Sequence, residues 1–159
     1  MGTAVLNKSL WLAAYIGDDK LVTVLANGGV EIDCATPNNA TALHIAARTG
    51  HLGVASLLLQ RGASIHRRNS QQFTPLVEAA YSGCEDIVRL LLDKGAHVEE
   101  CTEDGLTSLH FTAHNGHLGT TRLLLEWGAS ITARTKDQDT PLTLAARGGH
   151  EDAVRLLLD

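Results

Sequence analysis

The stretch "TALHIAARTGHLGVASLLLQRGAS" (residues 41–64) decides the fold. It contains two short apolar segments, each followed by a glycine, at Gly50 and Gly62. Thr41 is a residue type that caps the free amides at a helix N-terminus, and glycine readily adopts the left-handed conformation that ends a helix. The stretch therefore predicts a helix, a tight turn and a second helix.

The same helix pair recurs along the whole chain with a fixed period. Segments equivalent to "TALHIAARTGH" begin at Thr74, Thr107 and Thr140, and a more divergent copy, "KSLWLAAYIGD", begins at Lys8, so that each step is 33 residues. The second helix keeps this register, with three consecutive leucines in four of the five copies. Because one such unit cannot bury its apolar faces alone, the period predicts units that stack on one another.

These motifs resemble the ankyrin repeat, a 33-residue unit with the signature T-P-L-H-x-A. Pro75 and Pro141 match the second position of that signature, and His44 and His110 match the fourth. The resemblance implies an all-α solenoid of stacked helix-turn-helix units with β-hairpin-like loops. The expected organisation is a single ankyrin-repeat domain over residues 1–159, with repeats at about 3–35, 36–68, 69–101, 102–134 and an incomplete 135–159.

In the ankyrin family the concave face and the loop tips bind partner proteins, and the resemblance implies the same for this chain. The candidate residues are those that differ between copies at positions on that face: in the loop before each first helix and at the end of that helix. They are Tyr15, Arg48, Gln71, Phe73, Tyr81, Asp104, Leu106, His114, Asn115, Asp139 and Arg147, with Trp127 added at the end of a second helix.

Four of these candidates, Phe73, Tyr81, Leu106 and His114, are expected to lie close together on adjacent repeats. Exposed aromatic side chains at the centre of a binding face are good anchors for a partner. The alternative is that Phe73 folds under its own loop and Tyr81 packs against the next helix. Trp127 has a similar alternative, which is packing on the neighbouring loop.

The family pattern usually has glycine two residues before the threonine, and two of the copies that depart from it have glutamine there. Gln72 and Gln138 occupy that position in the third and fifth copies. Glutamine adopts positive φ angles poorly, so the geometry of these loops is left open.

Composition and charge disfavour several other functions. The net charge is −5, whereas proteins that bind nucleic acid or anionic membranes usually present a basic face. No apolar run approaches the length of a membrane span. Three cysteines at irregular spacing do not resemble a disulfide framework, which favours a reducing, intracellular compartment, cytoplasmic or nuclear.

The eight histidines raise the question of a metal site, because His110, His114 and His117 fall at helical spacing. However, His110 and His117 recur in the second copy as His44 and His51. We therefore expect them to bond the loop backbone and the capping threonine, and we expect no metal or other cofactor. Because the chain also lacks a phosphate-binding loop and a nucleophile motif, an enzyme is not expected.

The sequence leaves alternatives to a binding module. The last copy stops at Asp159 before any closing glycine, and its apolar residues repeat the internal pattern. We expect either a fragment of a longer protein, with further repeats or domains, or a partner docked on this edge. The alternatives to a binding module are therefore a structural, self-assembling spacer and a regulatory arm of a larger protein, including a larger enzyme.

Overall fold

The structure, a computed structural model, describes residues 2–159 and has ten α-helices in that range, which confirms the all-α prediction. In chain order they are α1 (Thr3–Ile16), α2 (Asp19–Asn27), α3 (Ala42–Thr49), α4 (Leu52–Gln60), α5 (Pro75–Ser82), α6 (Glu85–Asp93), α7 (Ser108–Asn115), α8 (Leu118–Glu126), α9 (Pro141–Gly148) and α10 (Glu151–Leu158). Over the same range no strand forms, and Cys101 and Thr107 make an isolated antiparallel bridge.

The helices are arranged as five pairs stacked in two layers. Each odd-numbered helix packs against the even-numbered helix that follows it, and also against the odd-numbered helices of the neighbouring pairs. The even-numbered helices pack on one another in the same way. We call the surface formed by the odd-numbered helices and the loops that precede them the inner face.

Alanine and leucine build the core between these layers. In α3 the adjacent residues Ala46 and Ala47 are fully buried, as are Ala79 and Ala80 in α5, so neighbouring helices approach closely. Leu58, the middle of the three leucines in α4, is also fully buried. Full burial of a leucine side chain stabilises the folded state by about 1.5–3 kcal/mol, so the stack is held by many such contributions along its length.

Glycine ends the first helix of each unit, and in three of the five units it does so for two separate reasons. Gly83 follows α5 with a φ of 72°, a left-handed conformation that other residues adopt at a cost. A Cβ atom at this position would also lie only 2.6 Å from Nδ1 of His117 in the next repeat. Gly116 repeats both features against His150. The glycines predicted from the sequence thus serve the turn and the contact between repeats.

The loops that precede α3, α5, α7 and α9 all turn through a residue in the left-handed conformation. They include the two loops with glutamine, whose geometry the sequence left open. Gln72 has a φ of 62° and Gln138 a φ of 64°, close to 57° at Asn39, while Gly105 has 81°. The Gln72 N–H donates to the Asn69 carbonyl at 2.9 Å. Hydrogen bonds within the turn therefore hold glutamine in a conformation that it adopts poorly on its own.

Neighbouring loops are also linked to each other. The Ser70 N–H donates to the Asn38 carbonyl at 2.9 Å, and the Lys136 N–H donates to the Asp104 carbonyl at 2.8 Å. Arg68 extends this link, because its Nη1 donates to the Cys101 carbonyl at 2.8 Å. The loops therefore stack in register with the helices beneath them.

The last helix packs on the preceding pair through part of its apolar surface. Ala153 and Leu157 of α10 are buried, Val154 and Leu156 are half-buried, and Leu158 is 67% exposed.

From residue 2 to residue 159, every helix is too short or too polar to cross a lipid bilayer.

Candidate functional site

Three aromatic rings meet on the inner face, at the junction of the third and fourth repeats. Phe73 lies in the loop before α5, Tyr81 near the end of α5 and Phe111 in α7. The ring centroids of Phe73 and Phe111 are 5.0 Å apart, those of Tyr81 and Phe111 5.9 Å, and those of Phe73 and Tyr81 6.3 Å. We call these three residues the aromatic group. Tyr81 is 46% exposed, and the two phenylalanines are half-buried.

A pocket of about 330 Å³ adjoins the aromatic group. Phe111 forms part of its wall, together with Leu106, His114 and Leu144. The structure thus places Phe73 and Tyr81 beside the pocket that Leu106 and His114 line. Phe111, which was not among the sequence candidates, connects the two pairs. The sequence did contain a signal for Phe111. It stands four residues after Thr107, and the equivalent residues of the neighbouring repeats also lie on the inner face.

The sequence left open whether Phe73 folds under its own loop. The ring is half-buried and packs edge to face against Phe111 of the next repeat. The Phe73 carbonyl accepts a hydrogen bond from His44 Nε2 at 3.0 Å, which ties its loop to the preceding repeat. Phe73 is therefore part of the loop packing and of the inner face at the same time.

The charged candidates near the pocket pair with groups of the same chain. Arg147 donates two hydrogen bonds to the carboxylate of Asp139, at 2.9 and 3.0 Å. Lys136 Nζ lies 3.5 Å from Asp104 Oδ1, and both of these side chains are largely exposed. Asp139 and Arg147 thus form one bidentate pair at the pocket wall.

The junction of the second and third repeats has a polar character. Glu78 of α5 is 3% exposed, and its Oε1 accepts a hydrogen bond from Asn69 Nδ2 at 2.8 Å. Arg48 Nε lies 3.9 Å from the other carboxylate oxygen. Burial raises the pKa of the Glu78 carboxyl, and Arg48 and Asn69 partly offset this increase. We call Arg48, Asn69 and Glu78 the polar group.

Sequence reasoning missed Glu78 and Asn69 as members of the polar group. The signal was present in the comparison of copies. Glu78 stands four residues after the threonine, where the second and fourth copies have Ile45 and Phe111. In the same copy Asn69 replaces the threonine found in the equivalent loops, for example Thr102. The two changes are complementary, since the asparagine amide donates to the carboxylate.

The remaining candidates are dispersed. Tyr15 is 63% exposed and shares a second pocket on the inner face, of about 430 Å³, with Arg48. Gln71 is exposed at a loop tip, and Asn115 donates to the Tyr81 carbonyl at 2.9 Å. Trp127, 41% exposed, follows α8 in the second layer. It therefore lies apart from the inner face.

Two histidines hold the loops to the helices, as the repeat pattern predicts. The backbone N–H of Thr41 donates to His44 Nδ1 at 3.1 Å, and His44 Nε2 donates to the Phe73 carbonyl. His110 makes the equivalent pair of bonds: its Nδ1 accepts from the Thr107 N–H at 3.1 Å, and its Nε2 donates to the Asp139 carbonyl at 3.2 Å. These findings confirm the structural role expected of them. Burial lowers the pKa of both imidazoles.

A second set of histidines connects successive repeats. His51 Nε2 donates to the Tyr15 carbonyl at 2.9 Å, and His117 Nε2 donates to the Tyr81 carbonyl at 3.0 Å. His117 and His110 therefore both bond to backbone carbonyls. His114, which falls between them in the sequence, is exposed at the pocket.

The stacked helix pairs and the linked loops define a solenoid repeat protein whose inner face carries pockets. A family model described as "Ankyrin repeats (3 copies)" matches residues 10–101 and 96–159. The chain belongs to the ankyrin repeat family. Ankyrin repeats generally act as protein–protein interaction modules. No curated protein sequence gives a significant match to the chain.

Proposed function

We propose that this chain is a non-enzymatic module that binds a segment of another protein along its inner face, with the aromatic group as the anchor. One observation carries the proposal. Of the six aromatic residues in the chain, three are in mutual contact on adjacent repeats, and one of these, Phe111, lines a pocket. Clustered and partly exposed aromatic side chains contribute disproportionately to binding free energy at protein interfaces.

The lining of the pocket suggests the chemistry of the partner. Leu106, Phe111 and Leu144 offer an apolar surface, and Asp137 adds a carboxylate to the lining. An apolar side chain that enters the pocket, followed by a lysine or arginine, would match both features. The net charge of −5 supports a protein partner over nucleic acid.

The reactive side chains support a binding role over a catalytic one. His110 lies next to the pocket, but both of its ring nitrogens are engaged with backbone groups. All three cysteines are free thiols, and burial raises the pKa of Cys34 and Cys84, which keeps them in the poorly reactive protonated form. Free thiols also favour an intracellular, reducing location as part of this proposal.

The test uses peptides selected from a random library on the immobilised chain, whose dissociation constants are then measured by fluorescence polarisation. Tyr81→Ala is expected to weaken binding at least tenfold, because it removes the most exposed ring of the anchor. Tyr15→Ala is the matched control. Tyr15 occupies the same position of the first repeat and is more exposed, at 63%.

Circular dichroism of both variants should show unchanged helix content, since neither side chain is buried in the core. If Tyr81→Ala binds the selected peptides as tightly as the unmodified chain does, the anchor assignment is wrong. If Tyr15→Ala is the variant that loses binding, the partner segment lies at the other end of the inner face.

A further inference from the structure

Two histidines and a glutamate converge outside the inner-face sites described above, where the second repeat meets the third. His66 Nδ1 lies 2.9 Å from Glu100 Oε1. The imidazole rings of His66 and His97 stack with their centroids 4.8 Å apart. One potential ligand atom from each of the three side chains lies within 4.8 Å of the others.

The repeat uses other residues at the equivalent positions, where a carboxylate makes a structural link to the next copy. The carboxylate of Asp33 accepts hydrogen bonds from the Ser64 N–H at 3.1 and 3.2 Å. The carboxylate of Glu99 likewise accepts one from the Ser130 N–H at 2.7 Å. The standard link is therefore a carboxylate paired with a backbone amide of the following repeat.

At the junction between the second and third repeats this link is replaced. His66 stands one period after Asp33, in the position of the carboxylate, and His97 stands one period after Ser64, in the position of the serine. Stacking the helices does not require this exchange, because the neighbouring junctions stack without it. The two imidazoles need a separate explanation.

Glu100 supplies a second, independent observation. Its side chain is only 14% exposed, and its Oε2 atom is buried without a hydrogen-bond partner among residues 2–159. A buried carboxylate oxygen that lacks a partner is costly, and a bound cation would remove that cost.

We propose that His66, His97 and Glu100 bind a divalent transition-metal ion, with zinc as the best match. Two imidazoles and one carboxylate are a ligand set that zinc accepts, and water would supply the fourth ligand. Bonds of about 2.0–2.1 Å in tetrahedral geometry place ligand atoms about 3.4 Å apart. The three ligand atoms lie within 4.8 Å of one another, and both imidazoles are exposed, which leaves room for the rings to turn toward a bound ion.

Such a site would hold two repeats together at their junction. His66 belongs to the second repeat, and His97 and Glu100 belong to the third. Because the ligands converge only when these repeats are stacked, the ion binds the folded chain in preference to the unfolded chain and stabilises it. The proposal is independent of the partner segment proposed for the inner face.

The experiment adds zinc chloride to the whole chain after treatment with a chelator. Isothermal titration calorimetry is expected to show one zinc ion per chain with a micromolar Kd, and the Tm should rise by several degrees when zinc is in excess. His97→Ser is the informative variant, because serine is the residue of the neighbouring repeats at this position. It should fold normally and lose at least tenfold in zinc affinity.

His114→Ala serves as the control, because it removes an exposed histidine outside the cluster and should bind zinc as the unmodified chain does. Magnesium chloride should give no heat of binding, since that ion prefers oxygen ligands. Absence of zinc binding by the unmodified chain would overturn the proposal. Undiminished affinity in His97→Ser would also overturn it, because the zinc would then be held by other residues.

Discussion

The inner face differs between its two central junctions. Between the second and third repeats it carries the polar group, in which Glu78 is buried and paired. Between the third and fourth repeats it carries the aromatic group, in which Tyr81 remains 46% exposed. Much of this difference comes from one position per repeat, four residues after the threonine, where Glu78 is followed one period later by Phe111.

The two junctions show how a stack of similar units presents different surfaces at neighbouring positions. The polar group is paired within the chain, since the Asn69 amide donates a hydrogen bond to the Glu78 carboxylate and the Arg48 guanidinium lies 3.9 Å from it. The aromatic group has ring surface that remains accessible to a partner. The helices beneath both groups are the same, so the difference arises from side chains and not from the fold.

The largest expected effect comes from Asn69→Thr, which gives the third repeat the loop residue of its neighbours. The variant removes the amide that donates to the buried Glu78 carboxylate, and we expect it to lose about 2 kcal/mol of unfolding free energy at pH 7. Urea denaturation followed by circular dichroism measures this loss.

The control is the same substitution in a Glu78→Ile background, where the side chain matches Ile45 of the second repeat. There Asn69→Thr should cost less than about 0.5 kcal/mol, because no carboxylate remains to be satisfied. Equal costs in both backgrounds would mean that Asn69 stabilises the loop alone and that the polar group does not act as a unit.

The next effect is a loss of stability in mild acid, to which His44 of the second repeat and His110 of the fourth repeat both contribute. Burial lowers the pKa of His44 and His110 from the usual 6.5 in the folded chain. Below pH 6.5 the unfolded chain therefore binds more protons than the folded chain, and stability falls as the pH falls. The loss is expected because a protonated Nδ1 can no longer accept the threonine N–H.

His44→Thr tests this effect, because Thr143 already accepts the Thr140 N–H at the equivalent position, at 2.8 Å. Urea denaturation between pH 7.5 and 5.5 should show a flatter pH dependence in the variant. The raised pKa of Glu78 has the opposite sign, since it favours the folded state as the pH falls, and it cancels in the difference between variant and unmodified chain. Identical slopes would contradict the prediction.

The smallest effect concerns the loops at the two junctions. Gln72 has a φ of 62°, whereas Gly105 occupies the same position of the next loop with a φ of 81°. We expect Gln72→Gly to raise the unfolding free energy by about 0.5–1 kcal/mol, because glycine adopts this conformation without steric cost. Thermal denaturation measures the gain.

Asn39→Gly is the comparison variant for this loop effect. Asn39 also has a positive φ, of 57°, but asparagine tolerates it, and its Nδ2 donates to the Arg68 carbonyl at 2.8 Å. Glycine there should therefore give no gain. A larger gain at Asn39 than at Gln72 would show that glutamine is not strained in its loop.

Much of the fold could be predicted from the sequence, and less of the candidate site. The threonine caps and the closing glycines are local signals, and their recurrence every 33 residues identified both the helix pairs and their stacking. The structural role of His44 and His110 followed from the same recurrence. Phe111 and Glu78 were missed as site residues because their position lies inside the first helix of the repeat, and not in the preceding loop or at the helix end where contact residues were expected.

The sequence by itself determined the helix pair, its turn and the stacking of five copies, because caps, glycine conformations and apolar periodicity act within a few residues. Only the tertiary structure decided which side chains meet across repeats. The contact of Tyr81 with Phe111 and the convergence of His66 with His97 join residues about one period apart. Such contacts depend on how adjacent repeats are oriented and on the rotamers that packing allows, which no single unit of the sequence encodes.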